Sequence, residues 1–219
     1  MHSSIKNYED IIKSIKLKIE DQNTNKLPKI IAVTKTFTID NILPLIEYGH
    51  LEYGENKVQE AIDKWSEIKI KKPEILLHLI GRLQTNKVKF AIKIFDYIHS
   101  VDSTKLAKKI YDEQIKQNKK VKIFIQVNIG SEEQKSGVNI HEIDELLNFC
   151  KELKLNVIGL MCIPPANQKS NKYFEKLKFL NDNLNLQHIS MGMSSDYLEA
   201  VANDATYLRI GSSIFGKRY

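Results

Sequence analysis

Two short turns near the C-terminus carry the residue types that hold phosphate, and one lysine near the N-terminus could act as a nucleophile. The turns are Gly192-Met193-Ser194-Ser195-Asp196 and Gly211-Ser212-Ser213. Each follows a short apolar run, and the first opens a helical pattern at Tyr197-Leu198-Val201. Glycine lets a backbone approach a ligand closely, serine adds hydroxyls, and a helix start presents unpaired N–H groups. Either turn alone reads as an ordinary capped loop. Two on successive strand–helix units make a phosphate cradle, as after strands 7 and 8 of many TIM barrels. Lys35 closes the apolar run Ile30-Ile31-Ala32-Val33-Thr34. A lysine there is either snorkelling into water or a desolvated amine able to attack a carbonyl. Paired with a phosphate cradle, the second alternative suggests pyridoxal 5′-phosphate (PLP) held as a Schiff base. Arg209 then gains a task. It stays protonated, so facing the pyridine nitrogen it would donate a hydrogen bond and keep that nitrogen unprotonated.

The elements that must position these groups alternate in type. Strands are predicted at 30–34, 51–53, 75–80, 97–101, 121–127, 156–161, 188–191 and 205–210. Helices are predicted at 39–48, across Pro44, then along the face Val58, Ala61, Ile62, Trp65 and Ile68, and at 85–95, 104–117, 140–153 and 170–182. Another begins at Tyr197, and an amphipathic helix over 4–20, capped by Ser3 or Ser4, precedes them all. Residues 21–28 read as a polar turn. Continuous apolar strands without two-residue hairpins imply parallel pairing. Eight such units close into a single (β/α)8 TIM barrel over 1–219, with the N-terminal helix filling the last outer place. An open doubly wound sheet would carry a glycine-rich turn after its first strand, where this chain has Lys35-Thr36-Phe37. In the barrel Lys35, Asn56, Arg82, Asn128, Ser194, Arg209 and Ser212 all fall just past strand ends, on the face where barrel enzymes place their chemistry. His78, inside a strand, points to the barrel mouth or is a hydrogen-bonded core histidine.

Composition narrows the classes. The 219 residues are 27% charged and 42% hydrophobic, as in a soluble globular chain. Only Arg82, Arg209 and Arg218 are arginine, and the net charge of +6 comes from lysines spread along helices rather than gathered into a nucleic-acid stripe. No apolar run is long enough to span a membrane, and no signal-peptide core opens the chain. Cys150 and Cys162 make neither a disulfide framework nor a zinc spacing, which fits a reducing cytosol.

Several blocks of the chain carry a resemblance: IAVTK at 31–35, GENKVQE at 54–60, HLIGRLQTNK at 78–87, VDS at 101–103, GLMCIPP at 159–165, SMGMSSDYLEA at 190–200 and RIGSSIFG at 209–216. In this order they resemble the YggS/PROSC family of pyridoxal phosphate homeostasis proteins, similar to the N-terminal barrel of alanine racemase. The resemblance implies a fold-type III PLP barrel that binds, buffers or hands over PLP in the cytoplasm as a monomer, without robust turnover. PLP-dependent apo-enzymes are the implied recipients. It further implies that Lys35 forms the internal aldimine, that Arg209 approaches the pyridine nitrogen, and that Ser194, Gly211 and Ser212 hold the phosphate. Ser190 and Met193 would lie nearby, Asn56 by the ring and His78 at the barrel mouth. Arg82 receives no role. The alternative is a PLP-dependent amino-acid racemase, which needs a second base opposite Lys35. Tyr219 and Tyr173 are the candidates, with nothing in the sequence to place either. A third reading, a barrel for another phosphorylated metabolite, leaves Lys35 without a task.

Overall fold

The computed structural model describes residues 2–21, 27–132, 134, 136–216. Eight strands form a closed, wholly parallel barrel in chain order. They are β1 (Lys29–Val33), β2 (Glu52–Glu55), β3 (Leu76–Leu79), β4 (Tyr97–Val101), β5 (Lys122–Val127), β6 (Asn156–Cys162), β7 (His188–Ser190) and β8 (Tyr207–Ile210). β1 pairs with β8 through Ile31 opposite Arg209, which closes the ring. The helices lie outside: α1 (Ser3–Asp21), α2 (Ile39–Glu47), α3 (Val58–Lys71), α4 (Val88–Ile94), α5 (Thr104–Gln117), α6 (Ile143–Glu152), α7 (Asn171–Asn183), α8 (Tyr197–Ala202) and α9 (Ser212–Phe215).

Apolar periodicity explains the helices. α1 buries Ile11, Ile15 and Ile19 along one stripe and packs against α8 and α9, the outer place expected of it. Its first free N–H groups turn to His2, not to Ser3 or Ser4, which lie inside the helix. α2 runs through Pro44, whose carbonyl still accepts from Tyr48 N–H at 3.0 Å. The helices expected at 85–95 and 140–153 each open as a 3₁₀ turn, at Thr85–Lys87 and Ile140–Glu142, because the tighter bond pattern satisfies the first donors. Asn139 and Glu142 close the second of these as a capping box. Ser103 caps α5, its hydroxyl accepting from the Leu106 N–H. Most of the polar turn expected at 21–28 lies outside the described residues.

Inside the barrel sits a small core of Ile31, Tyr97, Phe124, Met161 and Tyr207, with the rings of His78 and His99 stacked on Tyr97 and Phe124. The histidines have a stability consequence. Burial lowers the pKa of His50 to about 4 and depresses those of His78 and His99. In the unfolded chain these groups take up protons near their ordinary value of 6.5, whereas folded His50 does not until about pH 4. Their contribution is therefore complete above pH 6.5 and is lost as pH falls. His50 alone accounts for about 3 kcal/mol across that window. Urea midpoints should fall steadily between pH 6.5 and 4, and His50→Gln should flatten part of that slope; a pH-independent midpoint would refute the assignment.

Candidate functional site

All eight strands end on one face, and there a cavity of about 570 Å³ opens. Its wall includes Lys35, Asn56, Met193, Ser194, Arg209, Gly211 and Ser212, seven of the nine residues singled out in the sequence. They come from the ends of β1, β2, β7 and β8, so closure of the barrel brings residues 174 positions apart in the chain (Lys35 and Arg209) onto one wall.

The two small-residue turns meet. Ser194 Oγ accepts from the backbone N–H of Gly211 at 3.3 Å and of Ser213 at 3.2 Å. Asp196 Oδ1 takes the Met193 N–H at 2.6 Å and ties the first turn to the start of α8. Gly192 makes this turn possible. Its φ of +84° is left-handed, and a Cβ there would stand 2.5 Å from the Ala200 Cβ.

Arg209 is 4% exposed and lies on the cavity floor. Its Nη1 donates to Ser190 Oγ and its Nη2 to the Cys162 carbonyl, each at 2.8 Å. No carboxylate among the described residues is hydrogen-bonded to it. Burial lowers its pKa, with Cys162 and Asp196 pulling the other way, yet arginine starts far enough above neutrality to remain a cation. Ser190 is fully buried behind Arg209 and anchors it rather than lining the cavity. The mouth position expected of His78 is corrected: it is fully buried in the barrel interior, bonded to His99 and Glu52, the core-histidine alternative. Burial pushes the Cys162 thiol up to about 12, so it stays protonated and inert beside the cavity. Tyr173 is exposed enough to reach Gln168, donating at 2.6 Å, and is not on the cavity wall; Tyr219 lies outside the described residues.

Residues 16–219 match the family described as alanine racemase, N-terminal domain. The pyridoxal phosphate homeostasis protein of Aquifex aeolicus is 39% identical over 200 residues, covering 87% of each chain. The chain belongs to the pyridoxal phosphate homeostasis protein family. Among solved structures, PipY of Synechococcus elongatus is 31% identical, with TM-scores of 0.81 without PLP and 0.80 with PLP bound, over 92% of this chain and all of that one. An alanine racemase of Clostridium difficile, 16% identical with a TM-score of 0.70, shares the fold, and this chain covers 56% of it.

Two polar residues of the cavity wall escaped the sequence reading. Gln126 and Ser136 also line the cavity, with Gln126 Nε2 donating to the Ser136 carbonyl at 3.1 Å. Asn128 holds the same loop through both of its amide atoms, to the backbone of Glu132. Strand-end position signalled Asn128, whereas nothing local distinguishes Gln126 or Ser136. Arg82 is exposed on the rim.

Proposed function

We propose that this protein binds PLP and serves intracellular PLP homeostasis, holding the cofactor covalently on Lys35. The observation that carries this reading is the donor set of one cavity. A lysine amine and a buried arginine, hydrogen-bonded to no carboxylate among the described residues, share its wall with Ser194, Gly211 and Ser212, where the two small-residue turns meet. That set suits a phosphorylated aldehyde with a basic ring nitrogen. Bound, PLP supplies an aldehyde for amines and an electron-withdrawing ring. The chain's residues would do the rest. The Lys35 amine would take the aldehyde carbon with loss of water, and Ser194, Gly211 and Ser212, with Met193 close by, would hold the phosphate through charge-assisted hydrogen bonds, while Ser190 would act from behind Arg209. Arg209 donates to the ring nitrogen, and Asn56 lies beside the ring.

Arg209 as a donor keeps the ring nitrogen unprotonated and the electron sink weak, which favours storage and transfer over carbanion chemistry. Among the described residues no tyrosine lines the cavity to act as a second base. No helix among them is long and apolar enough to cross a membrane. The chain acts as one PLP-binding domain, a cytoplasmic monomer that hands PLP to apo-enzymes.

PLP added to purified protein should develop the visible band of a lysine-bound cofactor. Borohydride should fix it on the peptide containing Lys35, and Lys35→Ala should show neither result. A wild type that stays colourless with excess PLP would overturn the reading in favour of another phosphorylated ligand.

A further inference from the structure

Behind Arg209 a single row of polar side chains crosses the barrel. Ser190 Oγ lies 2.9 Å from His99 Nδ1, His99 Nε2 lies 3.0 Å from His78 Nδ1, and His78 Nε2 lies 2.5 Å from Glu52 Oε2. Glu52 opens β2, so the row ends at the face opposite the cavity, where Lys29 Nζ meets Glu52 Oε1 at 2.7 Å. A barrel interior is ordinarily filled by branched aliphatic side chains. Two buried imidazoles between a cation and a carboxylate call for an electrostatic reason.

Donor chemistry fixes every proton in the row. Arginine only donates, so Ser190 Oγ accepts there, and its O–H is left to donate to His99 Nδ1, the acceptor that a row running to the Glu52 carboxylate requires. Neutral His99 then carries its hydrogen on Nε2 and donates to His78 Nδ1. His78 likewise carries its hydrogen on Nε2 and donates to Glu52, which as a carboxylate only accepts. Both rings are neutral: burial is the main cause, and for His99 the positive charge of Arg209 acts in the same direction. Burial opposes ionisation of Glu52, but His78 and Lys29 outweigh it and bring that carboxyl down to about 2. Each O–H and N–H dipole therefore turns its negative end toward Arg209 and its positive end toward Glu52, and each bond polarises the next.

We propose that Glu52 is a second counter-charge of Arg209, beside the nearer Asp196, coupled to it across the barrel through His78 and His99, and that these residues are positioning residues for the electronic state of the bound ring. The second half rests on the PLP reading above. Without Glu52 the guanidinium, left with the field of Asp196 alone, is a stronger donor, and the ring nitrogen acquires more pyridinium character.

Two measurements test this. Nitrogen-15 NMR of histidine-labelled, ligand-free protein should show His78 and His99 as neutral Nε2–H tautomers. A proton on His99 Nδ1 would overturn the coupling. In protein loaded with PLP labelled at the pyridine nitrogen, Glu52→Gln should move that resonance toward the pyridinium value. Lys29→Met removes the salt bridge but leaves the carboxylate, and should not move it in that direction. An unmoved resonance in folded Glu52→Gln, or an equal shift in Lys29→Met, would refute the proposal. If wild type takes up no PLP, the function falls and takes the ring half with it. The tautomers still decide the Glu52–Arg209 coupling, as they do if Glu52→Gln fails to fold.

Discussion

Glu55→Ala is expected to lower the unfolding free energy by about 3 kcal/mol, because it strips a buried cation of one of its two carboxylates and leaves two further buried donors without their acceptor. The Glu55 side chain is wholly buried at the end of β2. Its Oε1 accepts from Thr34 Oγ1 at 2.7 Å, from Lys64 Nζ at 2.8 Å and from Trp65 Nε1 at 2.9 Å. Lys64, whose side chain is 9% exposed, also donates to the Thr34 carbonyl at 2.8 Å and pairs with Glu60 at 3.0 Å. Glu60 in turn accepts the Thr36 N–H at 2.6 Å. The cluster therefore grips the chain on both sides of Lys35. Thr36 needs that grip, since its φ of +68° is left-handed, a conformation that β-branched residues avoid. Alanine at 55 takes this acceptor from an ammonium, an indole N–H and a hydroxyl at once. The stability loss should appear in urea unfolding, and capture of PLP should weaken even in the folded fraction. Glu55→Gln, which keeps the shape and an amide acceptor, should cost less. A loss below about 1 kcal/mol for Glu55→Ala, the scale of an exposed ion pair, would show that the cluster does not hold this turn.

Gly159→Ala should be more damaging still, with no stable folded protein or a loss above about 4 kcal/mol. Gly159 stands opposite His188 where β6 pairs with β7. A Cβ on Gly159 would lie 1.7 Å from the His188 carbonyl oxygen and 2.5 Å from its carbon. Both are backbone atoms, so no side chain can swing aside, and relief requires the two strands to separate. β7 is three residues long and leads directly to the Gly192 turn, so the Ser194 side of the cavity would move with it. Gly49→Ala is the natural comparison. Its φ of +98° is also left-handed, but nothing lies within 4 Å of the added carbon. Only conformational strain of about 1 kcal/mol is expected there. Thermal unfolding followed by circular dichroism separates the two cases. Similar melting temperatures for both variants would refute the collision.

Much of the site could be read before folding was considered. Lys35, Asn56, Ser194 and Ser212 announced themselves because each is a polar residue just past a strand end, and Arg209 because it is an arginine inside a strand. In a parallel barrel every such end opens on the same face. Gly192 and Gly211 marked turns in which the chain must approach something closely. The strand limits shifted by one to two residues, as at β8, expected from 205 and observed from Tyr207. Those limits depend on cross-strand hydrogen bonds, which apolar pattern alone does not specify.

Residue order by itself determined the architecture and the chemistry of the cavity wall. Eight strand–helix units with non-alternating apolar strands have few ways to bury both faces, and closing a barrel is one that also fixes where the strand ends gather. Only the tertiary structure decided what lies beneath that wall. Whether an interior side chain points in or out follows from the two-residue period, but which residues of different strands touch depends on the stagger of the closed sheet. That stagger put His99 of β4 against Ser190 of β7, 91 positions away in the chain, and set His78 below the cavity instead of at its mouth. It also buried Glu55 against Lys64, making a support for the Lys35 turn out of residues that in the sequence look like ordinary surface charges.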